Sequence, residues 1–344
     1  MSRSQVQRKP RVVLLGSKKY AVAEYVAEFE KSFDFEIIEA EGREEAIDKL
    51  QESLMQHGPI EGLVLRKGAS ALGGIDAGLL KPLMPGCRIV ASASASQAGF
   101  DVEWLTSNNV FVCTAPDSEA ESVADMAMVL MLSIIRDVAR ASAAIRTGQW
   151  NKPLLPSRDA SAMTLGIVGM GRVGRRLATK ASAFNMRVRY WTQRRLGIDD
   201  EASLTAHYCA SLTDLLSQCD VVSVHASPTA QTRGLIGRDE FAAMKDGVLL
   251  VNTSSGLVLD EAALVEALES GKVARAGLDV FCNGEHALDY FLHCDRVICT
   301  PEIGAETHGA MRRGEKECLD NVRELFKTGK PLASVNDVVV RQEE

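Results

Sequence analysis

The chain has 344 residues, of which 46% are hydrophobic and 25% charged, a composition typical of a globular protein with room for about two domains. Its net charge of −7 argues against a nucleic-acid partner, because phosphate binding needs a basic face. No run of about 18 uncharged apolar residues is present, so no membrane span is predicted.

Short apolar, β-branched segments alternate with amphipathic segments along most of the chain. The first series of predicted strands comprises residues 11–15, 35–38, 61–65, 88–91 and 110–113. The second series comprises residues 165–169, 188–191, 221–225, 247–251, 276–280 and 296–300. This alternation predicts βαβ units and parallel sheets, so the expected fold class is α/β.

Two longer segments are predicted to be helical. Residues 119–147 contain neither Pro nor Gly, which predicts one helix about 40 Å long. Its middle, AMVLMLSII, is apolar on all sides and favours a buried helix that joins two domains. A dimer surface is a second interpretation, compatible with the first. Residues 307–327 are predicted to form a last helix that returns to the first domain.

The segment GMGRVG at residues 169–174 has the spacing of a dinucleotide-binding turn. It follows the predicted strand TLGIV and opens a predicted helix, which is the context that this motif needs. Gly169 is expected to make the tight turn, Gly171 to let the backbone approach a pyrophosphate, and Gly174 to let helix and strand pack closely. Two backbone amides are expected to face the phosphates, those of Arg172 and Val173.

The strand after this turn indicates which dinucleotide is preferred. It ends RVRYWTQRR, with Thr192 where NAD-binding domains usually carry an Asp or Glu about 20 residues after the glycines. Arg194 and Arg195 can pair with a 2′-phosphate, and no carboxylate is expected nearby to repel it. NADP(H) is therefore favoured over NAD(H). In the alternative interpretation, both arginines only solvate a loop.

With these motifs, the chain resembles the D-isomer-specific 2-hydroxyacid dehydrogenases, in the branch of glyoxylate/hydroxypyruvate reductases and fungal D-mandelate dehydrogenases. The matching segments include TLGIVGMGRVGRRLA, DVVSVHASPTAQTRGLIG, FAAMKDGVLLVNTS and TPEIGAETHGA. The resemblance implies two Rossmann-like, doubly wound parallel-sheet domains and a homodimer. It further implies that a flavodoxin-like substrate domain is built from both chain ends, residues 1–118 and 308–344, and that residues 119–307 form the NAD(P)-binding domain.

The resemblance also locates catalytic positions, and they are altered here. The family's substrate-binding Arg falls at Ser255, and its catalytic His falls at Glu302. The Glu that orients this His falls at Gly284, or at Glu285 after a one-residue shift. Asp279 resembles the family residue that hydrogen-bonds the nicotinamide carboxamide. The family's substrate loop GxGxD reads QAGFD, and the loop comprises Ser96, Gln97, Ala98 and Gly99.

Several residues are candidates for the missing roles. Glu302 could donate a proton in a closed apolar site, although a surface carboxylate or a cap is an equal alternative. His308 is a second candidate for proton transfer, but the favoured interpretation is that it caps the last helix or lies within it. His225 ends a predicted strand and is expected to be structural or adjacent to the cofactor. The eight scattered cysteines lack a CxxC pair and the histidines lie far apart, so no metal site is predicted.

Loss of the Arg removes the cation that would select an anionic substrate. The expected substrate is a small molecule without a free 2-oxo acid group, either a neutral carbonyl or an amine or imine facing Glu302. The predicted function is an NADP(H)-dependent reductase with a divergent active site. A catalytically inactive cofactor-binding scaffold or sensor is the alternative, and a non-redox enzyme is a third possibility. The reduced thiols and the missing signal peptide predict a cytoplasmic protein.

Overall fold

The computed structural model describes residues 8–16, 20–66, 72–97, 99–150, 156–283 and 289–338. The chain divides into two compact units. Unit 1 comprises Met1–Glu119 with Thr307–Glu344, and unit 2 comprises Ala120–Glu306. Each junction lies one residue from the boundary expected from the sequence.

Unit 1 is a five-stranded parallel sheet in the order β2-β1-β3-β4-β5, the flavodoxin-like order. Its strands are β1 Arg11–Leu15, β2 Asp34–Ile38, β3 Gly62–Leu65, β4 Ile89–Ser92 and β5 Phe111–Cys113. Its described helices are α1 Ala23–Glu30, α2 Arg43–His57, α3 Ala77–Leu80, α4 Val102–Ser107 and, from the far end of the chain, α13 His308–Thr328. β1, β3 and β4 are buried along their whole length, as expected for parallel strands covered on both faces.

The last helix completes the core of unit 1. Four buried residues of α13 join the apolar cluster that contains residues of β1, β3 and β4; they are Cys318, Leu319, Val322 and Leu325. At Gly314 the helix backbone approaches the sheet so closely that a Cβ atom would lie 2.6 Å from the carbonyl oxygen of Ala93. The core of unit 1 therefore depends on residues from both ends of the chain.

Unit 2 is a seven-stranded parallel sheet in the order β12-β11-β10-β9-β6-β7-β8, which is the doubly wound Rossmann order with one added strand. Its strands are β6 Thr164–Val168, β7 Arg187–Trp191, β8 Ala206–Tyr208, β9 Val221–Val224, β10 Val248–Asn252, β11 Val273–Leu278 and β12 Val297–Cys299. Its described helices are α5 Ala120–Arg136, α6 Val138–Arg146, α7 Arg172–Ala183, α8 Ile198–Leu204, α9 Leu212–Gln218, α10 Arg238–Ala243, α11 Glu261–Glu269 and α12 Asp289–His293. The strand order changes direction between β6 and β9, where the carboxyl ends of open α/β sheets bind ligands.

Two expectations about unit 2 are corrected. The predicted single helix over residues 119–147 is broken at Asp137, which adopts a left-handed conformation with φ of 55°. Its carboxylate lies 3.3 Å from Nε of Arg140 in the next helix and 3.5 Å from Nη2 of Arg275 in β11, so one local and one long-range partner stabilise the break. The short strand β8 was not predicted from the sequence.

The eight cysteines are all free. Within the described ranges, no helix has the length and apolar character needed to cross a membrane.

Candidate functional site

The glycine turn joins β6 to α7. Gly169 has a φ of +99°, and a Cβ atom there would lie 2.7 Å from the carbonyl carbon and oxygen of His225. A Cβ atom at Gly174 would lie 2.4 Å from the carbonyl oxygen of Gly169. At Gly171, in contrast, a Cβ atom would meet nothing within 4 Å. Backbone packing therefore excludes side chains at Gly169 and Gly174. The backbone at Gly171, directly before α7, remains accessible to an anionic group.

Two buried polar atoms lie at the carboxyl ends of β9 and β10. Nε2 of His225 is 2.8 Å from Oγ of Ser223, whereas its Nδ1 is buried and has no hydrogen-bond partner among the described residues. Oγ1 of Thr253 is also buried and lacks a partner there. The register pairs Asn252 with Val224, so Thr253 and His225 follow at neighbouring strand ends. Burial lowers the pKa of His225 to about 4, which keeps the imidazole neutral.

Buried polar groups in folded proteins are normally hydrogen-bonded, so these two atoms indicate a ligand with polar groups at this edge. A pyridine dinucleotide fits, because it would place phosphates at the open start of α7 and polar groups at the neighbouring strand ends. Among the described residues, no group of three or more His, Cys, Asp or Glu side chains could hold a metal ion.

Ser255 lies just beyond β10 and has a local structural role. Its hydroxyl accepts a hydrogen bond of 3.2 Å from the backbone N–H of Leu257 and so caps the short 3₁₀ turn Gly256–Val258. Nδ2 of Asn252 donates to the carbonyl oxygen of Ser255 at 2.9 Å. A neutral hydroxyl in this position cannot hold a carboxylate with two charged, parallel hydrogen bonds.

Asp279 is buried at the end of β11 and anchors the segment 300–304. Its Oδ1 accepts from Oγ1 of Thr300 at 2.6 Å and from the N–H of Ile303 at 3.0 Å, while Oδ2 accepts from the N–H of Gly304 at 2.8 Å. The sequence had suggested contact with the nicotinamide for this residue, and did not reveal its hold on this loop.

Glu302 lies in the segment that Asp279 anchors and is exposed. Its φ of 54° is unusual for a residue other than Gly, Asn or Asp. Its backbone N–H donates to the carbonyl oxygen of Asp279 at 2.9 Å. The surrounding hydrogen bonds therefore hold the backbone of Glu302 in a strained conformation, a feature that often occurs at functional positions.

The two arginines after β7 have different surroundings. Arg194 is exposed and forms no hydrogen bond or ion pair with any other described residue. Arg195 donates from Nε and Nη2 to the two carboxylate oxygens of Glu201, both at 2.8 Å. The expectation that no carboxylate lies near these arginines is therefore wrong. Glu201 lies in α8, six positions after Arg195, which is not one of the i+3 or i+4 spacings that predict a side-chain pair within a helix. Thr192, which directly follows β7, is half-buried.

Other predicted site residues belong to unit 1. His308 is the first residue of α13, and its exposed ring lies 5.9 Å from the ring of Tyr20, centroid to centroid. In the predicted substrate loop, the N–H of Ser96 donates to Oγ of Ser94 at 3.3 Å, and Gln97 is exposed. Gly99 has a φ of +84°. Three predicted positions, Ala98, Gly284 and Glu285, lie outside the described residues.

The site therefore combines a glycine turn, two buried polar atoms and a carboxylate-anchored loop, all in unit 2. Thr253 is the residue that the sequence analysis missed. Its place directly after a buried strand was the available signal, but small polar residues at such positions are common.

Comparison with known proteins identifies the family. Residues 128–304 match the family model described as D-isomer specific 2-hydroxyacid dehydrogenase, NAD binding domain. A dehydrogenase named efuE from Hormonema carpetanum is 40% identical over 338 residues, covering 98% of this chain and 84% of that protein. A glyoxylate reductase from Paecilomyes thermophila superposes with a TM-score of 0.82 at 30% identity, covering 95% of this chain and 98% of that chain.

The holo form of Rhodotorula graminis D-mandelate dehydrogenase superposes with a TM-score of 0.86 at 26% identity, covering 97% of this chain and 100% of that chain. The glycine turn and the strand-end polar atoms agree with a pyridine nucleotide as the cofactor. The chain therefore belongs to the D-isomer-specific 2-hydroxyacid dehydrogenase family and is an NAD(P)-dependent oxidoreductase.

Proposed function

We propose that the chain is an NADP(H)-dependent reductase whose substrate is a small carbonyl or imine compound without a free 2-oxo acid group. The observation that carries this proposal is Ser255. It stands where the family resemblance expects the carboxylate-binding Arg, and its hydroxyl already caps the turn Gly256–Val258. A site without that cation loses the charge-assisted, bidentate grip on a 2-oxo acid.

Glu302 is the proposed proton donor. When bound, a reduced nicotinamide supplies a hydride to the carbonyl or imine carbon, and the protein has to supply one proton to the oxygen or nitrogen. The hold of Asp279 on the segment 300–304 supports this role, because a proton donor needs a fixed position. His308 is the second candidate for the proton, and Glu285 is the candidate for the position of the family's orienting Glu.

NADP(H) is proposed as the preferred cofactor. Thr192 replaces the acid that would bind the ribose diol of NAD(H) and repel a 2′-phosphate. Arg194 adds an exposed positive charge two residues later. A guanidinium group can donate two parallel hydrogen bonds to a phosphate, so one available arginine is enough to favour the phosphorylated cofactor.

A homodimer is proposed for the assembly. The surface of α5, α6 and the residues that follow carries four large apolar side chains, each at least 50% exposed: Val129, Val138, Ile145 and Trp150. Exposed apolar patches of this kind mark interaction surfaces. Their position on consecutive elements of unit 2 supports a single contact face.

The test is NADPH oxidation by the purified protein against two substrate panels. One panel holds glyoxylate, hydroxypyruvate and aryl 2-oxo acids, and the other holds neutral ketones, aldehydes, quinones and cyclic imines. We expect turnover in the second panel only. The double variant Ser255→Arg/Glu302→His is expected to gain activity on the 2-oxo acids.

Fast turnover of the 2-oxo acids by the unaltered chain would refute the proposal. Tight NADPH binding without turnover in either panel would favour the inactive scaffold instead. The single variant Ser255→Arg is the control, because it restores the cation without the acid–base group.

A further inference from the structure

We infer that Arg195 is a positioning residue rather than a phosphate ligand, and that Glu201 sets the preference between the two pyridine nucleotides through it. The inference deepens the proposed use of NADP(H) and rests on it. It assigns contact with the 2′-phosphate to Arg194 alone.

The first argument is the geometry of the Arg195–Glu201 pair. The two hydrogen bonds of 2.8 Å use Nε and one terminal nitrogen of the guanidinium, so its plane is fixed by the carboxylate. One face of the guanidinium covers the ring of Tyr208, with Cζ 5.2 Å from the ring centroid. Stacking and pairing together restrict Arg195 to one orientation.

The second argument is that the same carboxylate holds the loop after β7. The hydroxyl of Tyr190, which is fully buried, donates to Oε1 of Glu201 at 2.6 Å and accepts from the N–H of Leu196 at 3.1 Å. Arg195 and Tyr190 lower the pKa of Glu201 to about 2, so the carboxylate is ionised at neutral pH. Movement of Arg195 toward a ligand would leave this charge without its cation.

The third argument is the charge distribution around the loop. The first turn of α8 carries three acidic residues, Asp199, Asp200 and Glu201. Asp200 pairs with Arg175 of α7 at 2.9 Å, and Glu201 pairs with Arg195. Arg194 is the arginine of this loop that makes no ion pair within the described part of the chain. The positive charge that a phosphate would meet therefore belongs to Arg194.

Glu201 acquires a role in selectivity from this arrangement. While Arg195 neutralises it, the carboxylate does not repel a 2′-phosphate. Without Arg195, an ionised carboxylate would face the phosphate at short range and weaken NADPH binding selectively. A direct phosphate ligand and a positioning residue can therefore be distinguished by removing Glu201 as well.

The experiment measures the Kd values of NADPH and NADH by fluorescence titration for four variants. They are Arg194→Gln, Arg195→Gln, Glu201→Gln and the double variant Arg195→Gln/Glu201→Gln. Arg194→Gln is expected to raise the Kd of NADPH by at least about 10-fold, because hydrogen bonds to charged groups are the stronger class. Its Kd for NADH is expected to stay within about 2-fold.

Arg195→Gln is expected to weaken NADPH binding about 5-fold, the order of one like-charge interaction near the protein surface, and the double variant is expected to recover most of that loss. If the double variant does not recover NADPH binding, the inference is wrong, because removing Glu201 cannot restore a hydrogen bond that Arg195 itself had made to the phosphate. An unchanged Kd of NADPH in Arg194→Gln would also overturn it. That variant changes an exposed side chain, so it tests the inference even if the Arg195 variants fold poorly.

Two controls complete the design. Arg238 and Glu266 form a second arginine–glutamate pair in unit 2, with both side chains exposed, and Arg238→Gln/Glu266→Gln is expected to leave both Kd values unchanged. Binding of 2′,5′-ADP and 5′-AMP repeats the comparison without a nicotinamide. If the unaltered chain binds NADH as tightly as NADPH, the proposed cofactor preference fails. The inference is judged separately, by the recovery in the double variant.

Discussion

Replacing Asp279 with Asn is expected to destabilise unit 2, because one carboxylate there accepts three hydrogen bonds from the segment 300–304. Asparagine has only one acceptor oxygen. If that oxygen keeps the bonds from Thr300 and Ile303, the amide nitrogen faces the N–H of Gly304, and two donors then meet. The orphaned buried donor costs about 1–3 kcal/mol, and the remaining bonds lose their charge assistance, about 1 kcal/mol more. The expected loss is therefore about 2–4 kcal/mol.

Urea unfolding measures this loss directly, as a lower midpoint with an unchanged m value. For a domain of this size, each kcal/mol corresponds to about 2–4 °C in Tm. The matched control is Asp246→Asn in the same unit, where the aspartate side chain is 93% exposed and pairs with Lys272 at 2.9 Å. That variant should lose less than about 1 kcal/mol. If Asp279→Asn were as stable as this control, the assigned anchoring of the segment would be wrong.

Three further predictions follow from the site and the surface. Gly169→Ala should abolish measurable NADPH binding in a fluorescence titration, because its Cβ atom would lie 2.7 Å from a backbone carbonyl and its φ is +99°; binding within about 3-fold of the unaltered chain would contradict this. His225 is neutral in the folded chain, with a pKa of about 4 against 6.5 when unfolded, so only the unfolded chain takes up its proton between these values. The free energy of unfolding should therefore decrease as pH drops from 6.5 to 4. His225→Gln should make this decrease smaller, by at most the effect of one bound proton, when urea unfolding is measured across this pH range. Val138→Glu should convert the proposed dimer to a monomer in light scattering after size exclusion, whereas Met55→Glu, at an exposed position of unit 1, should not.

The fold was largely predictable because parallel strands carry a strong sequence signal. Strands buried on both faces are short, continuous apolar runs, and the runs at residues 11–15 and 247–251 nearly coincide with β1 and β10. The break at Asp137 was not predictable, since its partner Arg275 comes from β11, far along the chain. β8 was missed because three residues are too few to form a periodic pattern.

Some features of the candidate site could also be predicted from the sequence, and others could not. The glycine turn could be identified, because its spacing within six residues, between a predicted strand and a predicted helix, is a local sequence pattern. The pairing of Arg195 with Glu201 could not be identified, because it depends on how α8 packs beside β7. Sequence reasoning assigned Asp279 to the ligand, whereas its three contacts with the segment 300–304 appear only in three dimensions.

The return of α13 to unit 1 has a consequence for biosynthesis. β5 ends at Cys113 and α13 begins at His308, so the ribosome spends roughly 10–40 s on the intervening residues at typical translation rates. During this time the face of the sheet that Leu319 and Val322 cover in the finished protein has no partner. Unit 2 is continuous in sequence and is synthesised completely within the interval. A chaperone would therefore be needed by the first 119 residues until α13 has been synthesised. A stalled or truncated chain would expose an aggregation-prone sheet, although its cofactor-binding unit would already be folded.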